Sequence, residues 1–223
     1  MTLSSTAERQ RINEFYTRGE EIANSVTHGI GAALSIAGLV VLVVLASVYG
    51  DVWRVISTSI YGTSLVLLFL SSTLYHSIQN PRLRPVLRRV DHAAIYVLIA
   101  GTYTPFTLVS LRGPLGWTFF GVVWGMALVG ILFKVFFIHR FALVSTLAYV
   151  AMGWICVLAF GQMLDHVPPS GMIWLVTGGV VYTVGVVFYV LRRIPYGHAV
   201  WHLFVLAGAI CHFFAIRAVI LAA

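Results

Sequence analysis

The chain has 223 residues, of which 60% are hydrophobic and only 9% charged. A mean hydropathy of +0.94 excludes a water-soluble domain of this size and leaves an integral membrane protein. The formal net charge of +7 would suggest nucleic-acid binding in a soluble protein. Here the basic residues lie in short connections between apolar runs, so membrane topology accounts for them and no nucleic-acid partner is expected.

Only helices and closed barrels satisfy their backbone in lipid. The apolar runs are continuous and lack period-two alternation, so an all-α integral membrane fold is predicted, a bundle of seven transmembrane helices. In chain order, residues 1–22 form a polar cytoplasmic segment of mixed charge, in which no cleavable signal peptide is read. Part of 7–22 can form an amphipathic helix on the membrane surface. Residues 23–223 make one seven-span domain. Its runs fall near 24–48, 53–78, 91–111, 116–137, 141–164, 170–191 and 197–221, each close to the ~20 residues a span requires. Short connections make neighbouring helices antiparallel.

Lysine and arginine set the orientation. The side that holds the N-terminus collects Arg9, Arg11, Arg18, Arg82, Arg84, Arg88, Arg89, Lys134, Arg140, Arg192 and Arg193. The other side has only Arg54, Arg112 and Arg217. This predicts a cytoplasmic N-terminus, an outside C-terminus and a multi-pass protein of the cell inner (plasma) membrane.

The first run opens with Asn24, Ser25 and His28, and the second closes on His76. The third opens with Asp91 and His92, and the seventh with His198 and His202. The topology puts all of them at one depth, where lipid-facing placement is costly. His198 and His202 are four residues apart, so both rings share a helix face, ~6 Å apart along the axis. A lone histidine near a helix end would be read as a snorkelling side chain. A pair at this spacing, with His76 at matching depth, points instead to a three-nitrogen cage for a metal, of the kind a catalytic zinc uses with its fourth position open.

Asp91 is the only acidic residue in the neighbourhood of the second and third runs. It can cap a helix or pair with Arg84, Arg88 or Arg89. Beside a metal it would orient or deprotonate a water. Ser72 lies one turn before His76; it is either a small packing residue or a donor to a developing oxyanion. His28 and His92 read as structural residues first, and as a fourth ligand or outer donors second. Asn24 joins that outer group. His212 lies ten residues beyond His202, ~15 Å deeper, and cannot share the metal. It lines an inner cavity or packs with Thr104. Pro105 should kink the third span, as a packing adaptation or to widen a cavity for a lipid-like ligand. His139 and His166 fall in loops. Cys156 and Cys211 lie inside apolar runs and read as buried, inert thiols.

Several stretches carry a family resemblance. They are Gly19-Glu20-Glu21-Ile22-Ala23-Asn24 through Thr27-His28-Gly29, Ser72 to His76, Asp91-His92-Ala93-Ala94-Ile95-Tyr96 through Ala100-Gly101-Thr102-Tyr103-Thr104-Pro105-Phe106, and Ile194-Pro195-Tyr196-Gly197-His198 through His202. Met in this order from about residue 19 to the C-terminus, they resemble the bacterial hemolysin III family, which belongs with the progestin and adipoQ receptors. The resemblance implies seven helices, an inward N-terminus and a zinc ion held by His76, His198 and His202. Asp91 would match the acid that holds water at the metal, and Ser72 the serine before the first ligand. Alkaline ceramidases look distantly similar in this constellation. The large soluble N-terminal region of the adiponectin receptors has no counterpart here, so hormone binding does not carry over.

Three functions follow as expectations. The first is a zinc-dependent hydrolase of a lipid amide or ester, acting on membrane lipids or fatty-acid-like ligands in membrane lipid and fluidity homeostasis. The second is a non-catalytic sensor or receptor with a structural zinc. The third is a pore-forming cytolysin, for which seven complete spans are poorly suited.

Overall fold

The computed structural model of the chain describes residues 16–137, 141–191 and 194–222. Seven helical spans are long and apolar enough to cross a membrane, and no strand occurs among the described residues. The first, α1 (Arg18–Tyr49), begins earlier than the apolar run that announces it. The cause is a capping box: the Thr17 hydroxyl accepts from the Glu20 N–H at 3.2 Å, and the Glu20 carboxylate accepts from the Thr17 N–H at 2.7 Å. Glu21 is thereby carried into the bundle on the first turn. Most of the amphipathic helix expected over 7–22 lies outside the described residues, as does His139.

In α2 (Val52–Ser77), the Asp51 carboxylate caps the start, accepting from the Trp53 and Arg54 N–H groups at 2.9 Å each. α3 (Arg84–Pro105) starts seven residues before the expected 91. A turn on the Asn80 carbonyl feeds Pro85 into the first helical turn, where its missing N–H costs nothing. The arginines that read as a loop are good helix formers whose stems lie along the bundle. After Pro105 the span continues as a π-helical turn, Phe106–Ser110. The Leu111 N–H reaches back five residues to the Phe106 carbonyl at 2.8 Å.

α4 covers Pro114–Phe137. The fifth span is broken into α5 (Ala142–Gly153), a 3-10 segment (Ile155–Ala159) and α6 (Phe160–His166). Tyr103 of α3 satisfies the break: its hydroxyl donates to the Gly153 carbonyl at 2.8 Å and accepts from the Cys156 N–H at 3.0 Å. α7 (Pro169–Val190) and α8 (Gly197–Leu221) complete the set.

α1 packs along α2, α2 along α3, and α7 along α8; α8 also packs along α1, so the first and last spans are neighbours. The inner faces hold Tyr61, Phe69, Leu42, Ile216 and Ile220. The outer faces leave Val129 68%, Phe136 72% and Leu158 77% exposed. Water would not tolerate such a surface, and acyl chains suit it. The N-terminal ends of α1, α3 and α8 and the C-terminal end of α2 meet at one end of the bundle.

Gly101, further along α3, lets this helix come close to the middle of α2. A Cβ at this position would collide with the Ser64 hydroxyl and stand 2.8 Å from the Ser64 Cβ. Gly101→Val is therefore expected to push the two helices apart and to destabilise the protein by about 2–3 kcal/mol. Thermal unfolding in detergent reads this as a lowered Tm. An unchanged Tm would mean the helices do not depend on this close approach.

Candidate metal centre

α8 carries His198 and His202 on successive turns of one face, and α2 carries His76 near its end. One ligand nitrogen from each lies within 4.8 Å of the other two. The ring centroids are 4.5 Å apart for His198–His202, 5.2 Å for His76–His198 and 5.1 Å for His76–His202. His76 and His202 are buried and His198 is half-buried.

For two of the three rings, neighbouring groups fix which nitrogen is free. His76 Nδ1 lies 2.6 Å from a Glu21 carboxylate oxygen. A carboxylate only accepts, so Nδ1 carries the proton and Nε2 keeps its lone pair. That Nε2 is buried and has no hydrogen-bond partner. His202 Nδ1 lies 3.3 Å from the Asn24 carbonyl, also a pure acceptor, which leaves its Nε2 basic as well. Two rings are thus presented in the form a metal binds, each oriented from behind by an acceptor on α1. The donor set fits a zinc ion: neutral imidazoles, three in number, with an orphaned buried nitrogen among them.

Glu21 is the residue that reading by sequence misses. It appears there as one more charge in a polar N-terminal stretch. In the structure it is buried, with one oxygen on His76 and the other on the Arg84 guanidinium. Arg84 itself is buried and lies over the Tyr75 ring at 5.3 Å. The signal was present as Glu21, Asn24 and His28, three polar residues at i, i+3 and i+7 on one face of α1. Asp91 is therefore not the lone acid here: the acid that touches a ligand histidine comes from α1, because the capping box extends that helix. The Arg84 pairing falls to Glu21, while Asp91 Oδ2 lies 3.4 Å from His92 Nδ1.

Asn24 is fully buried and its amide lies 3.4 Å from His76 Nδ1. His28 stacks on the His202 ring at 3.5 Å and 13°, outside the group of three. His92 sits beside the Arg88 carbonyl at 2.9 Å, and its own carbonyl accepts from the Tyr149 hydroxyl at 2.9 Å. Ser72 is buried on α2.

Two cavities flank the centre. One, of ≈ 190 Å³, runs down the bundle. Ser72, Asp91, His28, His92, His198 and His202 line one end, and its remaining wall is mostly apolar, with Leu68, Ile95, Leu98, Phe106, Met172 and Val205. Thr102, Tyr103 and Phe106 also line it, so the part of the third span where the π-helical turn begins borders a cavity. The Thr104 hydroxyl is engaged elsewhere, accepting from the Trp124 indole at 3.2 Å and donating to the Ala100 carbonyl at 2.9 Å. The second cavity, of ≈ 270 Å³, is a polar vestibule at the bundle end with Tyr16, Glu20, Tyr75 and Arg88 in its wall. His92 and His198 border both.

The family described as Haemolysin-III related matches residues 16–213, which include every residue of the centre. The chain is similar to Hemolysin-3 from Bacillus cereus, 46% identical over 211 residues that cover 95% of each chain. It is similar to the Hemolysin-3 homolog of Bacillus subtilis (strain 168), 49% identical over 201 residues, 90% of this chain and 94% of the relative. The Monocyte to macrophage differentiation factor of Homo sapiens is 32% identical over 203 residues, covering 88% and 83% of the two chains.

Proposed function

This chain belongs to the haemolysin III family of multi-pass membrane proteins, and on that premise we propose that it is a zinc-dependent hydrolase of a lipid amide or ester. In this reading it works in the cell inner membrane, with its N-terminus in the cytoplasm, and its products feed membrane lipid homeostasis. One observation carries the proposal: three imidazoles converge beside an apolar cavity whose wall also holds Asp91 and Ser72.

When bound, zinc supplies Lewis acidity at a carbonyl and brings water toward ionisation near neutral pH. The rest falls to the chain. Glu21 and the Asn24 carbonyl hold the His76 and His202 tautomers. Asp91, steadied by His92, takes a proton from the attacking water and returns it to the leaving group. Ser72 donates to the oxygen that gains charge. The apolar wall holds acyl chains and excludes water from them, while the polar vestibule admits water. A sensor with a structural metal would need a closed set of four ligands. His28 stacks on His202 instead of joining the group, which supports an open position.

The test uses purified protein in detergent, with bound metal measured by elemental analysis and hydrolysis followed on a ceramide and on acyl esters. Asp91→Asn should retain the metal, since Asp91 is not in the ligand group, and should lose about 10²–10⁴-fold in hydrolysis. Undiminished turnover in that variant, or in wild type stripped of all metal, would refute the hydrolase reading.

A further inference from the structure

His212 has no part in the centre described above. It lies on α8, ten residues beyond His202, about 15 Å further along the helix. It is buried, 9% exposed, yet it lines the long cavity. Its ring packs edge-on against Tyr182 at 5.2 Å. The Cδ2–Nε2 edge rests against Gly178 of α7, where a Cβ would stand 2.6 Å from Nε2. Neither ring nitrogen makes a hydrogen bond of good geometry; the Leu175 backbone carbonyl is placed as a weak acceptor for one of them, which leaves the other unpaired.

Three other polar groups of the cavity wall are committed elsewhere, while His28, whose ring nitrogens also lack a hydrogen bond, stacks on His202 at the metal-centre end. Thr102 donates to the Leu98 carbonyl at 2.8 Å. Tyr103 holds the broken fifth span. The Thr183 hydroxyl donates to the Gly179 carbonyl and accepts from the Trp154 indole. A buried imidazole nitrogen left unpaired costs free energy, so its presence in an apolar wall points to a ligand that supplies a partner.

We propose that His212 recognises a hydroxyl group carried mid-chain on the acyl ligand. This rests on the reading of the cavity as an acyl site. A hydroxyl both donates and accepts, so it pairs with either imidazole tautomer. The position follows from length. With the carbonyl carbon at the metal centre, an extended chain advances about 1.25 Å per carbon, so roughly twelve carbons span the ~15 Å to His212. The centre reads the amide or ester, and His212 reads a hydroxyl near carbon 12.

Binding to the full-length protein in detergent tests this without turnover. The probes are octadecanoic acid and its 3-hydroxy and 12-hydroxy forms, each also as the ethanolamide, competing against radiolabelled octadecanoate. The 12-hydroxy form should bind about five- to tenfold more tightly than the other two, as one added hydrogen bond gives. The free acids and the ethanolamides separate a product-like from a substrate-like ligand, and a preference in either supports the assignment. His212→Leu should lose the preference while still binding octadecanoate, and His212→Gln, which keeps a donor and an acceptor, should retain part of it. Gly178→Ala, which crowds the ring, should weaken all long chains alike. Equal affinity for the three acids in wild type, or an undiminished preference in His212→Leu, overturns the role of His212 and leaves the acyl cavity standing. Failure of wild type to bind any of the probes overturns both.

Discussion

On the proposed function, His202→Ala is expected to empty the candidate metal centre: bound metal should fall to background, and lipid hydrolysis should drop at least about 10³-fold, as loss of several kcal/mol of transition-state stabilisation requires. Among the three candidate ligands, His202 is held by several surrounding groups. Its ring is buried, stacked on His28, and held at Nδ1 by the Asn24 carbonyl. Deleting it leaves two nitrogens, fewer than a catalytic zinc site uses. His202→Gln separates this effect from a packing defect. Glutamine fills much of the same volume without an imidazole, so it should keep most of the thermal stability and still lose the metal. His166→Ala, an exposed residue at the end of α6, is the control and should change neither. Metal content equal to wild type in both His202 variants would remove this residue from the ligand set.

Glu21→Gln comes next in size and reports on two quantities at once. Glu21 holds His76 with one oxygen and Arg84 with the other, in a buried setting. Neutralising it leaves a buried guanidinium without its anion, which costs about 3–5 kcal/mol in comparable buried pairs. It also loosens the orientation of His76, and such outer carboxylates change metal affinity by about 10–100-fold. The two effects separate in a double variant. Glu21→Gln with Arg84→Met removes the stranded charge, so most of the stability should return. The metal affinity should not return, because His76 still lacks its carboxylate. Thermal unfolding and competition with a zinc chelator read the two quantities. Recovery of both together in the double variant would mean that Glu21 acts on the metal only through stability.

Helix positions were legible where apolar length dominates. The seventh apolar run spans 197–221, and α8 covers Gly197–Leu221. They were misread where charged residues continue a helix, at the starts of α1 and α3. Hydropathy drops there, but the Thr17 box and the turn on the Asn80 carbonyl carry the helix outward past the apolar boundary. The missed turns are the ones that supply Glu21 and Arg84. The break in the fifth span was not legible either. It depends on Tyr103, a residue of another helix, satisfying the freed backbone groups.

Sequence alone determined that this is a seven-span helical membrane protein with its polar residues gathered at one depth. Long apolar runs admit no other economical backbone in lipid, and i, i+4 spacing is a local property of one helix. Tertiary structure decided which of those residues meet. It brought His76 against His198 and His202, set Glu21 and Asn24 behind them, kept His28 out of the group, and turned His212 to a cavity wall. Depth in the bilayer follows from the order of residues along each span. The face each helix turns inward follows only from how neighbouring helices pack.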